Sequence, residues 1–77
     1  MVRDTKTATE ILGEVQRLVD MRKGDGEDIV AAHLPVPLAE PDESGCNWTM
    51  LNFTGDRVYF RLVGIAVLEV QAKWNLG

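Results

Sequence analysis

Cysteine occurs once in these 77 residues, as Cys46, and histidine once, as His33. One thiol cannot make an internal disulfide, and a structural zinc site normally draws four ligands from Cys and His at recognisable spacing. Adding Asp42 and Glu43 as ligands does not restore that pattern, so no metal or other cofactor is expected. Basic residues are the minority. Eight Lys and Arg face twelve Asp and Glu, for a net charge of −4, which repels phosphate backbones and disfavours nucleic acid as a partner. Arg57 and Arg61, one helical turn apart, are the nearest approach to a basic face.

Glycine-rich phosphate loops between a strand and a helix are absent as well, since Gly24 and Gly26 follow a helical pattern and Gly55 stands alone. The acidic segment KGDGED over 23–28 fails as an EF-hand loop, because the position that needs a bidentate Glu is Val36. It reads as a turn. No apolar run precedes Ile11, and Asp4 and Glu10 fall where a signal peptide carries no acid, which predicts an unexported, cytoplasmic chain. The uncharged part of the last third, 62–68, is far short of the roughly 20 residues that cross a bilayer, so no membrane partner is expected.

What is present fits one small α+β domain spanning 1–77. Residues 1–6 show no pattern and are expected to be frayed. Thr7 and Glu10 then match a capping box. Behind them Ala8, Ile11, Leu12, Val15, Leu18, Val19 and Arg22 recur at three-and-four spacing, and the helix should stop at Gly24. Gly13 inside it either meets a close neighbour or is exposed and indifferent.

The apolar stretch 29–34 predicts a strand ended by Pro35, and 46–53, CNWTMLNF, predicts a second. Between them 35–45 holds all three prolines and reads as a surface loop with no core role. The final stretch has two readings. Alternation over 66–76 suits a strand, whereas Tyr59, Leu62, Val63, Ala66, Val67, Val70 and Trp74 share one helical face. Length favours one helix over 58–75, started near Asp56. The fold expected is therefore a two-layer α-β-β-α domain, two helices packed on a β-hairpin ribbon, with one N-terminal helix on a three-stranded antiparallel meander as the alternative.

Candidate chemistry is sparse. If the strands flank the proline loop symmetrically, His33 comes opposite Cys46, and an imidazole could activate the thiol as in a small thiol-dependent enzyme or redox protein. The plainer reading, which is favoured, makes Cys46 a small apolar residue and His33 a rim residue. Trp48 and Trp74 could stack on a ligand, yet tryptophans in so small a domain are expected to be core. Trp48, with Asp42 and Glu43 of the acidic loop, marks the candidate contact surface. The function expected is a small binding or regulatory module, not an enzyme, acting through protein–protein contacts with an unidentified partner. A two-stranded ribbon has two unpaired edges and a chain this short has a small core, so self-association as a homodimer is expected too.

Overall fold

The computed structural model describes residues 4–24, 28–50 and 52–77. The central part of the turn expected over 23–28, and Leu51 of the second expected strand, lie outside the described residues. The chain runs β1 (Asp4–Lys6), α1 (Ala8–Lys23), β2 (Ala31–Ala32), β3 (Val36–Pro37), β4 (Trp48–Thr49), β5 (Phe53–Thr54), a 3-10 turn (Arg57–Tyr59), α2 (Phe60–Gln71) and β6 (Trp74–Leu76). It is an α+β domain.

Helix α1 begins where its capping box places it. The Thr7 hydroxyl accepts the Glu10 amide at 3.2 Å and the Glu10 carboxylate accepts the Thr7 amide at 3.3 Å, so two amides that lack intrahelical partners are satisfied reciprocally. Its stripe Ile11, Val15, Leu18 and Val19 is buried. The helix ends at Gly24, whose φ of 78° suits a residue without Cβ. Gly13 is exposed and a Cβ there would meet nothing within 4 Å, so of its two readings the indifferent one holds.

The ribbon keeps one register throughout. Ala31 pairs with Thr54 and Ala32 with Phe53; further along, Val36 pairs with Thr49 and Pro37 with Trp48, all antiparallel. The Leu38 amide extends the ladder to the Asn47 carbonyl at 2.9 Å. Pairing lapses between these pieces, where Pro35 has no amide to donate. Two expectations are corrected here. Part of the proline segment joins the ribbon, and Pro35 is buried. The loop begins later than its prolines suggested, and its turn is built by the Asp42 carboxylate, which accepts the Ser44 amide, the Ser44 hydroxyl and the Cys46 amide at 2.9, 2.6 and 3.1 Å.

Gly55, with φ 145°, links the ribbon to α2, and a Cβ there would stand 2.9 Å from the Ile29 carbonyl oxygen. Asp56 then caps the 3-10 turn, accepting the Val58 amide at 3.0 Å. Helix α2 presents Val63, Ala66, Val67 and Val70 to the core, most of the face its periodicity predicted. It closes at Gln71, earlier than the helix expected over 58–75. Trp74, Asn75 and Leu76 leave it as a strand parallel to β1, pairing with Asp4, Thr5 and Lys6. So 4–6 is not frayed but paired, and the Gly77 amide adds a bond to the Lys6 carbonyl at 3.0 Å.

The core lies between α1, α2 and the ribbon, which contributes Val30, Ala32, Cys46 and Trp48. Trp48 is wholly buried and donates its indole N–H to the Trp74 carbonyl at 2.9 Å. Carboxamides fasten the rest. Gln16 of α1 donates to the Val30 carbonyl at 2.7 Å and accepts the Ala32 amide at 2.8 Å. Asn47 does the same for Leu76, donating to its carbonyl and accepting its amide, both at 2.8 Å. Gln71 donates to the Trp48 carbonyl at 2.9 Å.

Glu14 joins α1 to the segment after α2, contacting Arg17 at 2.5 Å and Lys73 at 2.6 Å. Hydrogen bonds from Arg17 and then Lys73 hold its carboxyl down at about 2, against an ordinary 4.5. A carboxyl depressed on folding contributes stability that is complete above its ordinary value and fades as pH falls toward the folded one. Glu14→Gln should therefore be less stable than wild type at neutral pH, and the gap should close as pH drops from above 4.5 toward 2. Urea titrations across that range check it; a gap independent of pH would contradict the ion-pair account. Asn47→Ala should cost about 1–2 kcal/mol, the usual range for half-buried bonds left unmade. Faster hydrogen exchange at the Leu76 amide is the local sign, and unchanged exchange there would mean that Asn47 does not hold β6.

Candidate functional site

The structure does not bring Cys46 and His33 together. The register that pairs Ala32 with Phe53 and Val36 with Thr49 carries His33 toward position 52, while Cys46 lies past the paired part of the other strand, in the turn. His33 is exposed, and its Nε2 shares a 2.8 Å hydrogen bond with the Thr54 hydroxyl. Cys46 is fully buried, and its thiol donates to the Trp48 carbonyl at 3.3 Å. A thiol in apolar surroundings and spent on a backbone acceptor behaves as a small core residue.

The contact surface expected from Trp48, Asp42 and Glu43 does not assemble either. Trp48 is core, with no face left for a ligand. Asp42 is engaged in its own turn, and Glu43 stands exposed beside it.

A different surface is present. Helix α2 has already committed Val63, Ala66, Val67 and Val70 to the core, yet its opposite side is also apolar. Phe60 is 70 % exposed, Leu68 66 % and Ile65 47 %, and Val58 in the preceding turn is 77 % exposed. Residues 60, 64 and 68 recur every four positions and form a ridge, and Gly64 interrupts it with open space above. Between this side of the helix and the ribbon residues Met50 and Phe53 runs a groove of about 450 Å³. Among the described residues that line it, Arg61 is the only ionisable one and Asn52 the other polar one.

These residues form the site for a simple reason. Each turn of α2 has three or four positions, and almost every one in FRLVGIAVLEV is apolar, so a single core cannot consume them all. The gap at Gly64 leaves the groove floor low, and Met50 and Phe53 reach it from the ribbon because they lie at the end where the ladder departs toward α2. The sequence reading assigned α2 one buried face and left Phe60, Ile65 and Leu68 unassigned. A near-continuous apolar run on a helix exposed on one side was the available signal.

Among the described residues no group of three His, Cys, Asp or Glu converges as a metal site would. Among them, too, no helix is long and apolar enough to cross a membrane. Compared with protein-family profiles, with curated proteins and with solved structures, the chain matches none.

With its thiol shielded, Cys46 should react with a disulfide reagent only as the protein opens. The expected result is a rate far below that of the same thiol in denaturant, falling further under conditions that stabilise the fold. Rapid, stoichiometric labelling of the native protein at neutral pH would show instead that the thiol is accessible and would return it to the list of reactive groups.

Proposed function

We propose that this chain is a small non-enzymatic protein-interaction module whose contact surface is the outer side of α2 together with the groove beside it. The observation that carries the reading is the exposure of Phe60 and Leu68, two large apolar side chains eight positions apart along one helix ridge, next to a 450 Å³ apolar groove. Scattered exposed apolar residues are ordinary, but a contiguous patch on a helix, adjoining a concavity, is what interaction surfaces present. Arg61 at the groove adds direction. Arginine is enriched where interfaces concentrate their energy, and in an acidic protein it selects for an acidic group on whatever docks there.

The support is physical. Leaving these side chains in water forgoes burial worth about 25 cal/mol for each Å² of apolar surface, and nothing in the monomer's own packing recovers it. A surface that served only solubility would be polar here.

If the outer face is for binding, it is dispensable for folding. Phe60→Lys with Leu68→Lys should keep the native circular dichroism and a melting temperature within a few degrees of wild type. At sub-micromolar concentration the wild type should bind an apolar reporter dye such as anilinonaphthalene sulfonate, and the double variant should not. Loss of the native fold in the variant would make the face part of the domain's own core. A wild type that neither binds the dye nor sediments above monomer mass would end the reading.

A further inference from the structure

We infer that the occupant of this surface is a second copy of the chain, docked through an antiparallel pairing of the two α2 helices about a two-fold axis near Ile65. This rests on the reading of the outer α2 face as a contact surface and names its partner.

The spacing of the exposed face comes first. Within α2, Arg61, Ile65 and Leu68 follow one another at intervals of four and three, and Val58 of the preceding 3-10 turn and Ala72 just past the helix continue the spacing at three and four. That is the pattern of a seam between two helices packed at a shallow angle. The side chains along it, from Val58 to Ala72, are all exposed. A seam of this kind is complementary to another of its own kind, and the nearest supply is another copy.

Charge decides the orientation. With the axis through Ile65, the antiparallel arrangement sets Arg61 of each copy beside Glu69 of the other, and Val58 beside Ala72. A parallel arrangement would bring the two Arg61 guanidinium groups together, which like-charge repulsion opposes. Glu69 already holds Arg22 of its own α1 at 2.5 Å and has a second oxygen to offer. Leu68 of each copy enters the other's groove beside Gly64, where a Cβ would meet nothing within 4 Å and a neighbouring helix can approach closely.

Area is consistent with a dimer. The chain presents 5250 Å² of accessible surface, against roughly 4,700 Å² for a monomer of its mass. The exposed fractions of Val58, Phe60, Ile65 and Leu68 amount to roughly 450 Å² of apolar area at ordinary side-chain sizes. A standard interface covers about 800 Å² on each partner, a little over half of it apolar, so this patch supplies about the apolar share required. The ribbon, by contrast, offers less as a dimer edge, because Gln16 already bonds the Val30 carbonyl and the Ala32 amide, and Gln71 the Trp48 carbonyl.

Sedimentation equilibrium of the full chain from about 1 to 200 μM tests the pairing. The wild type should approach twice its monomer mass within that range. Ile65→Glu and Leu68→Lys should each shift the dissociation constant at least tenfold with unchanged circular dichroism, and Arg61→Glu should weaken pairing by about five- to tenfold. Ile65→Cys should cross-link to a covalent dimer under copper-phenanthroline oxidation, whereas wild type, whose thiol is buried, should not. A wild type that is monomeric throughout yet binds the apolar dye would overturn the second copy as occupant and leave the contact surface standing. A dimer that survives Ile65→Glu, or an Ile65→Cys protein that dimerises without cross-linking, would place the interface elsewhere.

Discussion

A two-stranded ribbon in water has more peptide groups than partners for them, and this fold depends on how that shortage is met. Each unpaired N–H or C=O taken away from water costs about 1–3 kcal/mol, a large share of the net stability of so short a chain. The solution is a set of carboxamide side chains that imitate a neighbouring strand. Gln16 gives and takes one bond at Val30 and Ala32. Asn47 gives and takes one at Leu76. Gln71 and the Trp48 indole complete the connection between ribbon, α2 and β6. An amide side chain carries one donor group and one acceptor, as a peptide unit does, so it can close a ladder that no strand is present to continue. Among the described residues there are three two-stranded sheets, and the bonds from Asn47 and Trp48 to β6 tie the ribbon to the β1–β6 pair.

That arrangement changes the reason to expect association. Judged from the sequence, a narrow ribbon with bare edges calls for a partner strand. In the structure the Val30 and Trp48 carbonyls and the Ala32 amide are bonded by side chains from within the chain, and the exposed apolar surface is on α2. Its sequence makes it apolar on two sides, and the core has room for one. The need for burial has moved from backbone hydrogen bonds to side-chain contact, which is less directional and tolerates a partner that binds and leaves.

Much of the fold was legible because it depends on local pattern. Thr7 and Glu10 fix the start of α1 by their own chemistry, Gly24 fixes its end, and the three-and-four spacing of Ile11, Val15, Leu18 and Val19 selects its buried face. The same logic recovered Val63, Ala66, Val67 and Val70. What escaped depends on contacts between distant parts of the chain. Nothing near Lys73 announces the end of α2, since no glycine or proline stands there; the helix gives way because Asp4 to Lys6 offer a strand and Trp48 takes the Trp74 carbonyl. The alternation of Trp74, Asn75 and Leu76 did register as a strand pattern, and length argued it away for the whole segment when only its tail was extended. The less favoured reading, His33 beside Cys46, fails through register, since a symmetric hairpin centred on the prolines is displaced from the real one, whose ladder runs through Val36 and Pro37.

The ends of the chain show how the core and the candidate surface are connected. β1 and β6 come from the two ends of the chain, and their pairing is stabilised from outside by Lys6 and Lys73 over the Trp74 ring at 5.2 and 4.5 Å. Lys73 also holds Glu14, so the same side chain ties the segment after α2 to α1 and steadies the strand that follows. Arg22 meets Glu69 across the same helix pair. The core face of α2 is thus fixed by contacts with α1, the ribbon and β6, and its outer face is presented on a rod with little freedom to turn. A helix that rolled would bury Phe60 or Leu68 in place of a core valine, and it would have to break the Arg22–Glu69 pair, the Glu14–Lys73 pair just past its end and the Gln71 bond to the Trp48 carbonyl to do so. The exposed apolar face persists because the rest of the molecule prevents its retreat, and a binding surface held in one orientation loses less entropy when something docks on it.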